Sequence, residues 1–266
     1  MYFLYSNNNL LFKLALMSHS SSTILRIAQI SDTHIGDTHA FVQGIDVRNN
    51  FLRVLKTVKE DTVDLLVFSG DLAAYRGERG AYQFIADAMR DYELPWCCIS
   101  GNHDITSEMV KYLNLTPPIK NDSYYYQLKI KEQSLFFLDS SSGVVSTDQL
   151  LWFKKEASRI EKDILLFVHH PPCLCGHRFM DAHYSMRNRD EVQKTLSEVE
   201  NLHYIFTGHY HANMMVLMGD KNVYVTPSTQ MQLDCDSADF KIASLQPAWR
   251  LIEWSKDSLK TSVHFL

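Results

Sequence analysis

The periodicity of the apolar residues constrains the fold of this chain most. Short runs such as Leu65-Leu66-Val67-Phe68, which are apolar on both faces, alternate with longer stretches such as 47–60, in which apolar residues recur at helical spacing. A short run that is apolar on both faces is typical of a strand inside a parallel sheet covered on both sides. The alternation therefore predicts β-α-β units and the α/β fold class.

The chain length is compatible with one domain. An α/β domain of 266 residues is ordinary, and no internal repeat or low-complexity linker divides the sequence. We predict a domain over residues 23–266, preceded by an N-terminal extension over residues 1–22. Met17 begins a polar segment that leads into the first strand, so we interpret it as the native start, with Met1 as the alternative.

Charge, hydropathy and cysteine content narrow the functional classes. The net charge of −5 gives no basic footprint for long nucleic-acid contacts, so we expect no nucleic-acid partner. The apolar segments 1–5 and 10–17 are shorter than the roughly 18 apolar residues that a membrane span requires, so no membrane partner is expected either. The five cysteines are odd in number and lack zinc-site spacing, which favours a reduced, cytoplasmic location.

Polar segments follow predicted strands at the points where the strands end. The strands are predicted at 25–30, 64–69, 95–100, 164–168 and 203–206. The segments after them are Asp32-Thr33-His34, Gly70-Asp71, Gly101-Asn102-His103-Asp104, His169-His170 and Gly208-His209-Tyr210-His211. Because the carboxyl ends of strands form the ligand-binding rim of an open α/β sheet, we expect these segments to converge.

The side chains in these segments are metal ligands of one chemical type. Each segment alone also fits a turn or a solvated histidine, but those interpretations would all have to hold at the same sheet edge. Asp, His and Asn without a thiolate suit divalent Mn²⁺, Fe²⁺ or Zn²⁺. The number of ligands predicts two sites that share one carboxylate. From the residues alone, either His169 or His170 can be the ligand.

With these motifs the chain resembles the calcineurin-like metallophosphoesterases, whose signature is Asp-x-His, Gly-Asp, Gly-Asn-His-Asp/Glu, a His after a strand, and Gly-His-x-His. The resemblance implies a four-layer α/β/β/α sandwich with two mixed sheets and a dimetal site at the carboxyl ends of strands. It implies two divalent transition metals, Fe²⁺ and/or Mn²⁺, with Zn²⁺ as an alternative. One metal would be held by Asp32, His34, Asp71 and His211, and the other by Asp71, Asn102, His169 and His209.

Segments outside the metal motifs resemble bacterial members of this family that hydrolyse 3′,5′-cyclic AMP. These segments are 183–188, 226–229 and 247–250. The resemblance implies that a hydroxide bridging the metals attacks phosphorus and that the 3′-oxygen leaves, which gives 5′-AMP. The implied partner is a small cyclic nucleotide, and the oligomeric state is not predicted.

Specific roles follow for residues near the metal ligands. His103 is predicted to be catalytic, either stabilising charge or donating a proton to the leaving oxygen. Asp104 is expected to fix a histidine tautomer. Arg187 is a candidate phosphate ligand and Asn188 a base or sugar ligand, although Asn188 can instead cap the following helix. The complete set of predicted substrate contacts is His34, Asp71, Asn102, His103, His211, Arg187 and Asn188.

Other functions remain compatible with the same metal site. One is a phosphomonoesterase, a nuclease or a hydrolase of lipid precursors. Another is a non-catalytic scaffold, but a scaffold would be expected to have lost metal ligands or His103, and all of them are present.

Overall fold

Two mixed β-sheets pack face to face in the computed structural model, which describes residues 24–266. The predicted extension over 1–22, the start of the domain at residue 23 and the choice between Met1 and Met17 lie outside the described residues. In chain order the elements are β1 (Leu25–Ile30), α1 (Val47–Glu60), β2 (Leu65–Ser69), α2 (Arg79–Arg90), β3 (Trp96–Ile99), α3 (Thr106–Tyr112), β4 (Tyr126–Ile130), β5 (Gln133–Leu138), α4 (Thr147–Ala157), β6 (Ile164–Val168), α5 (Arg178–His183), α6 (Arg189–Ser197), β7 (Leu202–Thr207), β8 (Met214–Met218), β9 (Lys221–Val225), β10 (Gln232–Leu233), β11 (Ile242–Ser244), β12 (Ala248–Trp254) and β13 (Leu259–Phe265).

The strand order places the ends of the central parallel strands at one edge. The first sheet has the order β13-β12-β1-β2-β3, in which β1, β2 and β3 are parallel and β12 is antiparallel to β1. The second has the order β4-β5-β6-β7-β9-β8. Its inner strands β5, β6, β7 and β9 are parallel, and its outer strands β4 and β8 are antiparallel to their neighbours. A separate small sheet consists of β10 and β11.

Successive side chains in a strand point to opposite faces of its sheet, so they pack in different layers of the fold. In β5, Phe137 belongs to the core between the sheets and stacks on Phe167 of β6, with ring centroids 5.2 Å apart. Its neighbour Phe136 faces the other way and packs edge-on against Phe153 of α4 at 5.0 Å. On the first sheet, Phe51 of α1 packs against Phe68. These contacts confirm the four-layer α/β/β/α sandwich.

The five strands and the helix predicted from the sequence lie within one residue of their predicted bounds. The bounds of β1, α1 and β6 agree at both ends, and α1 and β6 have a clear apolar pattern with polar flanks. The short helices α3 and α5 were not predicted, because they bury only Met109 and Met180, respectively, and neither has a readable apolar period. Among the described residues, the helices lack the combination of length and apolar character that a bilayer span requires.

Candidate metal centre

The polar segments that follow β1, β2, β3, β6 and β7 meet at one edge of the sandwich. Backbone hydrogen bonds connect them: the Asp32 N–H donates to the Gly70 carbonyl at 3.0 Å, and the His34 N–H donates to the Asp71 carbonyl at 3.0 Å. The Gly208 N–H donates to the His169 carbonyl at 3.0 Å. The predicted convergence therefore occurs, and it is maintained by the backbone.

Carboxylates and imidazoles form three groups at this edge, of which one, His34, Asp71 and His103, overlaps the other two. Of those two, one consists of Asp32, His34 and His211, and the other of Asp71, His169 and His209, with ligand atoms within 4.8 Å of one another in each. The Asp71 carboxylate lies between them, because its Oδ2 is 3.3 Å from His169 Nε2 and 3.8 Å from His34 Nε2. This position is the one required of a shared ligand.

Several of these residues have a left-handed backbone, which non-glycine residues rarely adopt. The φ angles are 54° at Asp32, 44° at His34, 50° at Asp71, 67° at His209 and 48° at His211. Such conformations cost free energy and are found where the surrounding structure imposes them, often at functional sites. Five of the eleven non-glycine residues with positive φ in the described part of the chain are residues that would bind metal.

The glycines in the motifs allow the segments to approach one another closely. A Cβ on Gly101 would lie 2.2 Å from Asp71 Oδ1, and one on Gly208 would lie 1.9 Å from Ser31 Oγ and 2.6 Å from Asp32 Oδ2. Any side chain at these positions would displace a carboxylate of the centre. The glycines are therefore required by steric contact.

Hydrogen bonds to carbonyls fix the tautomers of the histidines. His169 Nδ1 lies 2.8 Å from the Ser69 carbonyl, and His211 Nδ1 lies 3.2 Å from the Met231 carbonyl, so Nδ1–H is the donor in both rings. In His209 the donor is Nε2–H, which is 2.9 Å from the Tyr184 carbonyl. Each ring therefore has its second nitrogen free to act as a ligand.

Unpaired polar atoms in this cluster fit a pair of cations. His169 Nε2 is fully buried and has no hydrogen-bond partner among the described residues, although it faces the Asp71 carboxylate. His34 Nε2 and His211 Nε2 lie 3.0 Å apart, and both approach the Asp32 carboxylate. Lone pairs and carboxylates in one buried site repel one another unless positive charge lies between them. The donor set suits borderline divalent metals.

Three of these groups, His34, His209 and Asp32, have the charge states that metal binding needs. Burial lowers the pKa of His34 to about 3 and that of His209 to about 4, so both rings are neutral at physiological pH. Burial opposes ionisation of Asp32, but His211 and His169 lower its pKa to about 2. Burial also disfavours the imidazolium of His169, yet Asp71 and Asp32 raise its pKa to about 9. A cation bound through Nε2 of His169 would have to displace this proton.

Asp104 has a different role from the one expected from the sequence. Its carboxylate accepts hydrogen bonds from the N–H groups of Leu72 (3.2 Å), Ala73 (3.0 Å) and Gly101 (2.9 Å), and from the Tyr82 hydroxyl (3.0 Å). These contacts connect the segment after β2 to the segment after β3. Among the described residues no histidine binds this carboxylate, so the expectation that it fixes a histidine tautomer is wrong.

The structure separates the two adjacent histidines. His169 faces the carboxylates, whereas the ring of His170 lies with Nδ1 2.9 Å from Ser140 Oγ.

His103 is partly exposed, with Nδ1 2.8 Å from the Ala74 carbonyl and Nε2 4.0 Å from Asp71 Oδ2. Asn102 is exposed and lines the pocket beside the centre.

Arg187 and Asn188 have protein partners instead of lining that pocket. The Arg187 guanidinium donates to the Ser142 carbonyl. The Asn188 amide binds the backbone of Val145, donating at 2.8 Å and accepting at 3.2 Å, and it also donates to Glu191. Asn188 precedes α6, but its side chain makes no capping bond to that helix.

A pocket of about 340 Å³ opens beside the centre. Its lining includes predicted site residues and also residues that the sequence analysis missed. The missed residues are Val42, Gln43, Ala74, Tyr75, Phe179, Met180, Tyr184, Gln230, Met231, Leu233 and Phe240. They come from loops and short elements, and apart from Tyr184, which lies in the segment 183–188, no motif or period in the sequence marks them.

Comparisons with known proteins agree with this geometry. Residues 25–213 match the family described as calcineurin-like phosphoesterase. A probable cyclic nucleotide phosphodiesterase of Fibrobacter succinogenes is 49% identical over 94% of this chain and 97% of that protein. The 3′,5′-cyclic adenosine monophosphate phosphodiesterase CpdA of Escherichia coli is 30% identical over 91% and 90%, respectively. Among solved structures, a dimetal phosphatase from Danio rerio has a similar fold, with a TM-score of 0.65, 12% identity and coverage of 90% of this chain and 99% of that one.

Proposed function

The chain belongs to the calcineurin-like phosphoesterase family, and we propose that it hydrolyses 3′,5′-cyclic AMP to 5′-AMP at this centre. The observation that carries the proposal is the position of Asp71 between two carboxylate–imidazole groups, beside a pocket of a size suited to a small molecule. The choice of a cyclic nucleotide is supported by the relatives, which are named cyclic nucleotide phosphodiesterases. We further propose a cytoplasmic location and no nucleic-acid partner.

We assign the metal ligands as the sequence predicted. Asp32, His34, Asp71 and His211 would hold one cation, and Asp71, Asn102, His169 and His209 would hold the other. His169 is preferred over His170 because only His169 directs an unpaired nitrogen at Asp71. We propose Fe²⁺ and/or Mn²⁺, with Zn²⁺ as the alternative. Two such cations would supply Lewis acidity at the phosphoryl group and make hydroxide available at neutral pH.

His103 is positioned to protonate the leaving group. Its Nδ1–H donates to the Ala74 carbonyl at 2.8 Å, which orients the ring. Nε2 lies 4.0 Å from Asp71 Oδ2 at the lining of the pocket, and as the general acid it would carry the proton for the leaving group. As the bond from phosphorus to the 3′-oxygen breaks, this proton passes to the oxygen and gives the 3′-hydroxyl of 5′-AMP.

The proposed activity is tested with purified protein that is stripped with a chelator and reloaded with Mn²⁺, Fe²⁺ or Zn²⁺. The substrates are 3′,5′-cyclic AMP, 3′,5′-cyclic GMP, 2′,3′-cyclic AMP, a glycerophosphodiester and a simple phosphomonoester. We expect metal-dependent turnover with 3′,5′-cyclic AMP as the best substrate. Preference for the monoester or for the glycerophosphodiester, or turnover without metal, would overturn the proposal.

Two variants separate metal binding from proton transfer. Asp71→Ala should lose metal content and activity together, whereas His103→Ala should keep its metal and lose about 10²–10⁴-fold in kcat. His203→Ala is the control, because this half-exposed ring lies near the start of β7, at the end of the strand away from the centre. Near wild-type turnover by His103→Ala would refute the assigned role.

A further inference from the structure

One part of the pocket beside the metal centre is built from aromatic side chains. The Phe179 ring centroid lies 5.5 Å from that of Tyr184 and 6.0 Å from that of Phe240. Tyr184 is 51% exposed and Phe240 is 52% exposed, so both present apolar surface to the open pocket. Clustered apolar surface beside a polar site is typical of a surface that a ligand covers.

The position of this aromatic cluster is tied to the metal centre and to a closed loop. The Tyr184 carbonyl accepts the hydrogen bond from His209 Nε2, so the backbone that carries one aromatic ring also orients a proposed metal ligand. Phe240 lies on the loop between β10 and β11. That loop is closed by a hydrogen bond of 2.9 Å from the Asp234 N–H to the Lys241 carbonyl and by a 2.7 Å ion pair between the same two residues. The aromatic surface is therefore preorganised.

Two glutamine side chains also line the pocket. Gln230 is only 2% exposed, and its Nε2 donates to Gln43 Oε1 at 3.4 Å. The Gln230 N–H donates to Ser228 Oγ at 2.8 Å, and this hydroxyl in turn donates to the Asp32 carbonyl at 2.8 Å. Gln230 thus connects Gln43 to a metal-binding segment and sets the direction of its amide. The Nε2 of Gln43 has no partner in the described part of the chain.

Gln43 has an unfavourable backbone conformation for its residue type. It occupies the tip of a tight hairpin in which Val42 and Ile45 exchange backbone hydrogen bonds of 3.0 and 2.9 Å. Gln43 has φ = 52° and the following Gly44 has φ = 78°, so both central residues are left-handed. Turns of this kind favour Asn, Asp or Gly at the first position, and glutamine there gains nothing from packing because it is exposed. Strain at an exposed tip that lines a pocket indicates a function for the side chain.

We propose that these residues form a subsite for the adenine base, an inference that rests on the proposed function. The purine stacks on the aromatic cluster formed by Phe179, Tyr184 and Phe240. The Gln43 amide accepts from N6–H of adenine and donates to the adjacent ring nitrogen. A carboxamide matches this donor–acceptor pair, whereas O6 and N7 of guanine are both acceptors. The subsite therefore selects adenine over guanine.

The test compares steady-state hydrolysis of 3′,5′-cyclic AMP and 3′,5′-cyclic GMP by variants of the two parts of the subsite. Gln43→Leu keeps a side chain of similar size without the amide, and it should lower the ratio of kcat/KM for the two substrates about fivefold to tenfold. Phe240→Ala should raise KM for both substrates about tenfold and leave their ratio unchanged, because stacking is tolerant of base identity. Phe41→Ala is the control, since Phe41 is 63% exposed on the same loop as Gln43 and does not line the pocket.

A third variant distinguishes recognition from stability. Gln43→Asn suits the left-handed turn better, so its melting temperature should not fall, but its amide is one methylene shorter and the preference for adenine should still decrease. If Gln43→Leu and Gln43→Asn both kept the wild-type ratio, or if Phe240→Ala kept the wild-type KM, the subsite would be refuted.

The subsite and the proposed function can fail separately. If the wild type hydrolyses bis(4-nitrophenyl) phosphate but neither cyclic nucleotide, the proposed function fails. The inhibition constants of 5′-AMP and 5′-GMP against that substrate then still test the subsite. Tighter inhibition by 5′-AMP that is lost in Gln43→Leu supports it, and equal inhibition by the two nucleotides in the wild type overturns it.

Discussion

Replacing Asp104 by asparagine tests whether this buried carboxylate holds together two segments of the proposed metal centre. Oδ1 accepts from the Ala73 N–H and the Tyr82 hydroxyl, and Oδ2 accepts from the N–H groups of Leu72 and Gly101. Asparagine has nearly the same shape but can accept on one side only. Its NH₂ group must then face either Ala73 and Tyr82 or Leu72 and Gly101.

The less costly arrangement keeps the oxygen at Leu72 and Gly101. The Tyr82 hydroxyl can then rotate and accept from the new NH₂, but its own proton loses its acceptor, so two buried donors, the Ala73 N–H and the Tyr82 O–H, are left without a partner. Each orphaned buried donor costs about 1–3 kcal/mol, and changing the two remaining bonds from charged to neutral acceptors costs about 0.5–1 kcal/mol each. Asp104→Asn should therefore lower the free energy of unfolding by about 3–8 kcal/mol. For a domain of this size, that corresponds to a decrease of about 6–30 °C in Tm.

The assay is urea unfolding followed by tryptophan fluorescence, with metal content measured on the folded protein. Tyr82→Phe is the graded variant, because it removes one hydrogen bond from Asp104 and should cost only about 1 kcal/mol. We also expect Asp104→Asn to bind metal more weakly, since the segments that carry Asp71 and Asn102 lose their connection. An Asp104→Asn protein with wild-type stability and metal content would show that the four hydrogen bonds do not position the centre.

Three further predictions concern the same framework. Chelation should lower Tm by about 5–10 °C, because cations at about 100 times their Kd stabilise the folded state by about 2.7 kcal/mol. In differential scanning fluorimetry, a Tm that changes with neither chelator nor Mn²⁺ would contradict a cation site here. Gly208→Ala should lose metal content and activity, because its Cβ would collide with Ser31 and displace Asp32. Gly219→Ala is the control and should keep both, since no atom lies within 4 Å of the added Cβ. Equal metal content in the two variants would refute the steric argument. Arg250→Met should lower the free energy of unfolding by about 3 kcal/mol in urea titrations, because the buried guanidinium donates to Thr226, Thr261, the Val225 carbonyl and Asn213. It should also reduce activity, since Asn213 is two residues beyond His211. Retention of full stability would show that these bonds contribute no net free energy.

Several features of the fold were predictable because they depend on the residue pattern within short stretches of sequence. The run that became β6 is apolar between Asp163 and His169, and α1 has apolar residues at helical spacing, so local periodicity determined their bounds. The short helices α3 and α5 bury too little apolar surface to leave such a pattern.

The same distinction applies to the site. The motifs alone placed Asp32, Asp71 and His209 at the carboxyl ends of strands, because chain order and the parallel arrangement of the strands bring those ends to one edge. The partners of Asp104 and Asn188 were not predictable, because they depend on which loop lies opposite. The sequence suggested a histidine for Asp104 and a substrate for Asn188, whereas the structure gives both side chains backbone groups as partners.

The sequence by itself determined the fold class, the positions of the proposed metal-binding segments and the chemistry of the side chains in them. Each of these follows from the identity and spacing of neighbouring residues. Only the tertiary structure decided that His169 faces Asp71 while His170 faces Ser140, because adjacent residues point in different directions according to the surrounding contacts. It also decided the pocket, where the amides of Gln43 and Gln230 meet although 187 positions separate them in the sequence. No local sequence pattern can indicate a contact between residues so far apart in the chain, since such contacts exist only after the two sheets have packed together.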